Sequence, residues 1–399
     1  MPELKGAVVE ALQLNPLEAE REGALARDLR HGKPGVHGER ASVYLEPVLP
    51  PVTVSTLTPV LNEERHIRGT VAALQAQEFD GTAEFIFIDG GSSDLTRTIL
   101  LELAREDERI RVLDNPRRQT ASGLNVGLRA ARGEYVARID GHTRYPAHYL
   151  NTAVERLRRG DVHWVAGPQI PVGTDAWSRR VATALGTRLA TGGSNRWQRD
   201  VAEHRGDEVE LGTGVFTGVW RRATLDRASG WDEGWPVNQD SEMASRFLRQ
   251  GARIVSLPAL GADYTPRNSL RALARQYRRY GMYRAKTTLR HPWTVRPPHV
   301  VLPLVATAAV AAVAAPGRAR PLARAAVGVY GARVATESAR ASTSAREALA
   351  LSLVFGTMHM TWGAGFVEGL VRFARPSSRR LALAEDLIER ADDLPSLPR

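Results

Sequence analysis

The sequence predicts an α/β protein with a largely parallel central sheet, followed by a C-terminal helical region that is rich in apolar residues. From Val52 onward, short β-rich runs alternate with helical periods. The β-rich runs are TVSTLT at 53–58, EFIFID at 84–89, IRVL at 110–113 and EYVARID at 134–140. Alternation of this kind indicates helices on both faces of the sheet and ligands at the carboxyl ends of its strands.

The helices between the strands are predicted from their caps and from the spacing of their apolar residues. Asn62 is the predicted N-cap of the first helix, and Ser92 or Ser93 is that of the second. A third helix is expected to end near Gly133. The apolar residues at helical spacing are Ile67, Val71 and Leu74, then Leu95, Ile99 and Leu103, then Leu124 and Leu128.

Composition narrows the classes of function. The chain of 399 residues has no cysteine, which excludes disulfides, thiolate metal sites and a cysteine nucleophile. Any metal must therefore be held by oxygen or imidazole ligands. The formal charge of +10 favours polyanionic partners such as nucleic acid, anionic lipid or phosphorylated substrates. Residues 1–23 lack a basic segment followed by an apolar core, so the bulk of the chain is expected in the cytoplasm.

Changes in composition divide the chain into four segments. Residues 1–50 mix charges, glycine and proline, which predicts a partly disordered extension with at most one short helix. Residues 51–296 form the predicted α/β domain, which ends in a basic amphipathic helix at 267–290. Residues 297–375 form an apolar helical region, and residues 376–399 form a C-terminal tail.

The apolar helical region is predicted to meet a membrane. The segment from His299 to Ala315 has 17 residues, about 25 Å of helix, slightly less than the roughly 30 Å hydrocarbon core of a bilayer. A second apolar stretch at 349–373 contains His359 and Glu368. The alternative is two alanine-rich helices packed into a soluble core. Basic residues beside the first stretch favour the membrane: they are Arg318, Arg320 and Arg324.

The basic helix contains an arginine-rich run with leucine and tyrosine interleaved at helical spacing. We expect this helix at a membrane surface, where anionic lipid attracts arginine. A solvated basic face is the alternative. The arginines are Arg267, Arg271, Arg275, Arg278, Arg279 and Arg284.

Three aspartates stand where a doubly wound sheet presents its ligands. Asp89 and Asp140 each end a predicted strand, and Asp240 lies in a separate polar segment. One aspartate at a strand end is often a helix cap, whereas three together indicate a functional site. The segment from Asp89 to Thr96 also offers two glycines and several hydroxyls, which suit a nucleotide. It is neither a GxGxxG motif nor a Walker loop, which argues against a dinucleotide dehydrogenase or a P-loop ATPase.

Asp140-Gly141-His142 offers two ligands for one cation directly after a strand. Mn²⁺ or Mg²⁺ would suit an aspartate oxygen, an imidazole nitrogen and diphosphate oxygens. Taken alone, these three residues favour a turn that carries a solvated histidine, and only the other clusters favour a metal site.

Four segments of the chain carry recognisable motifs: TPVLNEERHI at 58–67, IDGGSSDLT at 88–96, GLNVGLRAARGEYVARIDGHTRYP at 123–146 and NQDSEMASRFLRQG at 238–251. Together these segments resemble the family 2 glycosyltransferases. A fifth segment, TPRNSLRALARQYRRYGMYRAKTTLRHP at 265–292, is similar to the subgroup of succinoglycan-type exopolysaccharide glycosyltransferases, which carry membrane segments near the C-terminus. The resemblance runs from about Val52 to Pro316 and implies an inverting enzyme with a GT-A fold.

The resemblance implies roles for residues that bind the donor. It makes Asp89 the carboxylate on the uracil or ribose, with Asp94 nearby, and it makes Asp140 and His142 the counterpart of the metal-binding Asp-x-Asp motif. His142 stands in place of the usual second aspartate. Further contacts to the uracil and ribose are implied for Pro59, Asn62 and Glu63.

The resemblance also implies a catalytic base and a closing element. Asp240 falls at the position of the base, in a segment usually written Glu-Asp or Asp-Asp. Glu242 is the alternative base if this segment is extended. The Gln-x-x-Arg-Trp element, which closes over the donor diphosphate or the acceptor, is represented by Gln276, Arg278, Arg279 and Tyr280. Its tryptophan is absent, which favours single-sugar transfer over processive polymerisation.

The predicted function is therefore transfer of one sugar from a nucleotide-sugar, by resemblance a UDP-sugar, to a hydroxyl of a glycan or lipid-linked acceptor. We expect this reaction in exopolysaccharide or cell-envelope glycan synthesis, at the cell membrane, with the catalytic domain on the cytoplasmic side. Three alternatives stay open: a basic nucleic-acid-binding protein, a nucleotidyltransferase of the same fold, and an inactive membrane scaffold. Aromatic residues make up 6% of the chain and no nucleic-acid-binding signature stands out, so no nucleic acid is expected as partner.

Overall fold

An eight-stranded mixed sheet is the centre of the computed structural model, which describes residues 51–374 except 193, 195–196, 198–207 and 216. The predicted extension at 1–50 and tail at 376–399 lie outside the described residues. The strands are β1 Val54–Val60, β2 Ala83–Asp89, β3 Ile110–Asp114, β4 Tyr135–Arg138, β5 Trp164–Ala166, β6 Gln169–Pro171, β7 Val209–Glu210, β8 Gly218–Arg221, β9 Ile254–Ser256 and β10 Ala262–Tyr264.

The prediction of a parallel sheet holds for its first half. The order is β3-β2-β1-β4-β8-β5-β9-β7, and the first four strands in this order pair in parallel. Strand β8 then runs antiparallel to both β4 and β5, and β7 runs antiparallel to β9. Strands β6 and β10 form a separate parallel pair. The later strands are too short to show a clear period in the sequence, so their direction was not predictable.

Helices pack on both faces of the sheet, and four long helices follow its last strand along the chain. Strand β2 is buried on both faces, because Phe85 and Phe87 pack into one apolar cluster while Ile86 and Ile88 pack into the other. The helices are α1 Ile67–Gln75, α2 Thr96–Glu106, α3 Thr120–Ala130, α4 Tyr149–Arg158, α5 Ala176–Leu185, α6 Arg188–Thr191, α7 Arg222–Arg227, α8 Gln239–Arg249, α9 Leu270–Arg290, α10 Pro297–Ala314, α11 Ala319–Arg340 and α12 Ala345–Phe373.

The predicted caps of the first two helices are wrong. Helix α1 begins at Ile67, and Asn62 instead has a left-handed backbone with φ of 58°. Its side-chain oxygen accepts a hydrogen bond from the backbone N–H of Ser93 at 2.8 Å. Helix α2 begins at Thr96, whose backbone N–H donates to Asp94 at 3.0 Å. The polar side chains therefore tie the loops after β1 and β2 to each other, because these parallel strands end side by side.

The last four helices pack closely. Helix α9 begins after its cap Ser269, close to the start of the predicted basic helix. Glycines allow its backbone to approach α12: a Cβ at Gly281 would lie 2.0 Å from the carbonyl oxygen of Trp362, and one at Gly365 would lie 2.1 Å from that of Arg278. Among the described helices, α10 alone is long and apolar enough to cross a membrane, by length and composition. Helix α12, which covers the second apolar stretch, buries several of its apolar side chains.

Candidate active site

A cavity of about 1390 Å³ lies beside the carboxyl end of β4 and extends between the C-terminal helices. Among the described residues, its lining contains nine arginines and two carboxylates, Asp140 and Asp240. This excess of positive charge suits an anionic ligand such as a diphosphate. Six of the predicted site residues line the cavity: Asp140, His142, Asp240, Gln276, Arg279 and Tyr280.

A buried arginine joins the two cavity carboxylates. Arg138 is the last residue of β4, and its Nε donates to Oδ1 of Asp140 at 3.1 Å. Its Nη1 donates to the carboxylate of Asp240, and its side chain is only 5% exposed. Burial alone would lower the pKa of the Arg138 guanidinium, but the carboxylates of Asp140 and Asp240 raise it above its ordinary value. Sequence analysis missed this residue, although its spacing of two from Asp140 on a strand places both on one face.

Asp240 and the alternative base Glu242 differ in their surroundings. Both lie in the first turn of α8. Glu242 was the alternative base only if this segment is extended, and the segment is helical. Glu242 is fully buried, accepts a bond from Nε of Arg246 at 3.0 Å and lies 3.3 Å from Nε2 of His291. Burial would raise its pKa, but Arg246, His291 and Arg290 lower it to about 2. Glu242 is not among the cavity residues, because side chains two apart on a helix face different directions.

His142 is held by a carboxylate of the first loop. Its Nδ1 lies 3.1 Å from Oε1 of Glu63, and this hydrogen bond raises the pKa of the imidazole above its ordinary value. Among the described residues, no group of three histidine, aspartate or glutamate side chains lies close enough to hold a metal alone. The pair of Asp140 and His142 nevertheless fits Mg²⁺ or Mn²⁺, because such ions commonly take one or two protein ligands and complete their shell with phosphate oxygens and water.

The remaining predicted donor-binding residues lie in the loops beside the cavity. Asp89 is buried and accepts bonds from the hydroxyl and N–H of Ser92 at 2.6 and 3.1 Å. Asp94 accepts a bond from the N–H of Glu64 at 3.1 Å. Pro59 lies in β1 opposite Ile88. These side chains, with Asn62 and Glu63, are outside the cavity lining, and their contacts to a donor stay a prediction.

Helix α9 divides the predicted closing element between two faces. Gln276 donates to the hydroxyls of Tyr264 at 3.2 Å and Tyr280 at 3.0 Å, on the cavity side. Arg278 points away from the cavity, where it is 62% exposed and bonds to Glu368 of α12 at 2.8 Å. Arg278 therefore lies apart from the cavity, and the contacts of this element to the donor or acceptor stay a prediction.

The arginine-rich run also contributes more to the cavity than the sequence suggested. Its two interpretations placed the arginines at a membrane surface or in solvent, but Arg267, Arg275, Arg279 and Arg284 line the cavity. Side chains that continue the cavity between the C-terminal helices include Leu302 and Val305 of α10, Val329 and Tyr330 of α11, and Met358 and Trp362 of α12. The cavity thus has a charged part near Asp140 and a less polar part between α10, α11 and α12.

The sheet, the strand-end carboxylates and the basic cavity define the class of nucleotide-diphospho-sugar transferases with a GT-A fold. A mannosyltransferase from Pyrobaculum calidifontis, solved in complex with GDP-Man and Mn²⁺, has a similar fold with a TM-score of 0.50. That similarity covers 88% of this chain and 94% of the mannosyltransferase, at 20% identity. The model of glycosyl transferase family 2 matches residues 55–224.

The sequence comparisons make this assignment more specific. The succinoglycan biosynthesis protein ExoA of Rhizobium meliloti is 31% identical over 324 residues, which cover 79% of this chain and 94% of ExoA. The chain belongs to glycosyl transferase family 2, in the exopolysaccharide subgroup, as its motifs predicted. A glucuronosyltransferase of Methanococcus voltae, whose name specifies a dolichyl N-acetylglucosaminyl phosphate, is 21% identical over 57% of this chain and 71% of its own length. The beta-monoglucosyldiacylglycerol synthase of Trichormus variabilis is 29% identical over 45% of this chain and 38% of its own length.

Proposed function

We propose that this glycosyltransferase moves one sugar, with inversion, from a UDP-sugar to a hydroxyl of a lipid-linked acceptor, and that it requires Mn²⁺ or Mg²⁺. The observation that carries the proposal is the meeting of Asp140 and Asp240 in one basic cavity, although they come from different elements of the fold. One carboxylate is available to a cation and the other to a proton. This is the division of labour that an inverting transfer needs.

In the proposed reaction, Asp240 accepts the proton of an acceptor hydroxyl as that oxygen attacks the anomeric carbon. The bond from the anomeric carbon to the nucleoside diphosphate breaks on the opposite face, and the diphosphate leaves with its bonding electrons. Arg279 and the other cavity arginines stabilise the charge of the diphosphate. Asp140 and His142 would hold a divalent cation, which supplies further positive charge at the leaving group when it is bound.

The extent of the cavity favours a lipid-linked acceptor over a free glycan. Its part between α10, α11 and α12 can receive an apolar chain while the sugar of the acceptor reaches Asp240. Two family relatives, from Methanococcus voltae and Trichormus variabilis, have names that specify lipid groups. Helix α10 also carries exposed apolar side chains, and Val313 is 78% exposed. We place the protein at the cell membrane with this cavity on the cytoplasmic side.

The first test is a donor panel with purified protein in detergent or lipid. UDP- and GDP-sugars are incubated with and without Mn²⁺ or Mg²⁺, and the release of nucleoside diphosphate is measured. Metal-dependent release from one UDP-sugar is expected. Asp240→Asn should lower it by about 10²–10⁴-fold, and Asp140→Ala should weaken metal-dependent donor binding as well as turnover.

Other products of the donor panel would contradict the proposal. Release of nucleoside diphosphate from a GDP-sugar would show that the donor nucleotide is GDP and not UDP. Release of pyrophosphate would indicate nucleotidyl transfer. Salt-dependent binding of oligonucleotides without sugar turnover would support the nucleic-acid-binding alternative.

The acceptor is tested separately with a variant that fills the less polar part of the cavity. Val305→Trp should reduce transfer to a polyprenyl-diphosphate-linked sugar but leave slow hydrolysis of the donor unchanged. Val313→Trp is the matched control, because it lies on the same helix outside the cavity. The proposal of a lipid-linked acceptor would be refuted by one combined result. In that result the wild type and Val305→Trp transfer sugar equally to a soluble oligosaccharide, and neither transfers it to the lipid-linked sugar.

A further inference from the structure

Arg138 occupies an unusual electrostatic position in the candidate site. Its side chain hydrogen-bonds to both Asp140 and Asp240, and it donates through different nitrogens, Nε to Asp140 and Nη1 to Asp240. The planar guanidinium fixes the angle between its donors, so it holds the two carboxylates in a defined relation. Lysine could keep the charge but could not reproduce this fork.

The surroundings of Arg138 fix its own position. The residue is part of β4, and all four residues of that strand pair with β1 on one side and β8 on the other. Arg138 lies opposite Leu57 of β1 and Gly218 of β8. The N–H of Asp140 donates to the hydroxyl of Tyr145 at 3.1 Å, which holds the turn after the strand. The guanidinium is therefore a rigid, buried positive charge beside the carboxylate proposed to bind the cation.

We propose that Arg138 is a positioning residue that orients Asp240 towards the acceptor and weakens the binding of a free divalent cation at Asp140. The inference rests on the proposed function, in which Asp140 binds a cation together with the donor diphosphate. The positive charge of Arg138 opposes a second cation at the same carboxylate. The diphosphate, with its own negative charge, overcomes this opposition, so the cation binds tightly only when the donor is present.

If Arg138 has this role, a neutral side chain at position 138 should strengthen the binding of Mn²⁺ and lower kcat. Arg138→Met should bind Mn²⁺ without nucleotide on the order of tenfold more tightly, because the opposing charge is gone. The same variant should lose kcat by about 100-fold or more, with a smaller change in KM for the donor, because Asp240 is no longer held. Damage to the fold alone would weaken Mn²⁺ binding.

The variant Arg138→Lys separates the effect of the positive charge of Arg138 from the effect of its two hydrogen bonds. It should keep the Mn²⁺ dissociation constant near that of the wild type, because the charge is retained, but it should lose kcat, because one ammonium group cannot hold both carboxylates in the same geometry. This variant also keeps the test decisive if Arg138→Met does not fold. A kcat of Arg138→Lys equal to that of the wild type would overturn the positioning role.

A matched control comes from a second buried arginine that also bonds to two carboxylates. Arg156 pairs with Asp161 and Glu208 and is outside the cavity lining. Arg156→Met should lower the thermal stability and leave the Mn²⁺ dissociation constant unchanged. If Arg156→Met and Arg138→Met changed Mn²⁺ binding alike, the effect would belong to stability and the proposal would fail.

The experiment measures Mn²⁺ binding by calorimetry on the full chain, without and with UDP, and the steady-state constants with the active donor. Unchanged or weaker Mn²⁺ binding by a folded Arg138→Met variant would overturn the inference. So would the absence of Mn²⁺ binding in both the wild type and this variant. Tighter Mn²⁺ binding without release of nucleoside diphosphate from any donor would refute the proposed function but support the electrostatic role of Arg138, so the two failures are distinguishable.

Discussion

Replacing Glu242 with glutamine tests whether this carboxylate stabilises the fold or serves as the base. Glu242 is fully buried and paired with Arg246, Arg290 and His291. Its pKa falls from 4.5 to about 2 on folding. Lowering a pKa by 1 corresponds to about 1.4 kcal/mol of free energy. The ionised carboxylate therefore contributes on the order of 3 kcal/mol to the free energy of unfolding at neutral pH. Glu242→Gln should therefore lower the free energy of unfolding by about 3 kcal/mol at pH 7.

The direction of the Glu242 pKa shift determines how its contribution to stability changes with pH. Because the pKa is lower in the folded protein, the contribution of Glu242 is fully present above pH 4.5 and is lost as the pH falls towards about 2. The difference in stability between wild type and Glu242→Gln should shrink over that range. Urea unfolding followed by tryptophan fluorescence measures it.

An exposed ion pair and the rate of sugar transfer serve as controls for this test. Asp226 pairs with Arg222 at the same helical spacing, but it is 52% exposed, so Asp226→Asn should change stability by less than about 1 kcal/mol. Glu242→Gln should keep turnover per folded molecule within about tenfold of wild type, whereas loss of a general base removes about 10²–10⁴-fold. A stability difference that does not change with pH, or a 10²-fold loss of turnover in a stable variant, would refute the structural role of Glu242.

Two further substitutions test the packing and the closing face of α9. Gly281→Ala should separate α9 from α12 and lower the thermal midpoint, because its Cβ would meet the carbonyl oxygen of Trp362 at 2.0 Å. Gly356→Ala, with nothing within 4 Å of its Cβ, should instead raise stability by up to about 1 kcal/mol; equal midpoints for the two variants would contradict this reading. Arg279→Ala should weaken donor binding measured by calorimetry, while Arg278→Ala should leave it unchanged, since only Arg279 lines the cavity. Equal losses would show that the two faces of α9 are not functionally distinct.

Part of the fold could be read from local patterns. The four predicted β-rich runs match β1 to β4 to within two residues at either end, because a buried strand carries its apolar signal within its own residues. Asp140 follows β4 as predicted, and the motifs around it identified the family. The predicted caps failed for a different reason. Asn62 and Ser93 are polar residues at loop positions, and their hydrogen bonds go across to the neighbouring loop, which no local pattern reports.

The sequence by itself determined the α/β class, the first four strands, the basic helix and the aspartates that follow or flank these elements. Each depends on residues that are neighbours along the chain. Only the tertiary structure decided that Arg138 joins Asp140 to Asp240, because Arg138 and Asp240 are 102 positions apart. Burial likewise separates Glu242 from Asp240 although only one residue lies between them. Burial and long-range pairing set the chemistry of a charged side chain, and both arise when distant elements pack together.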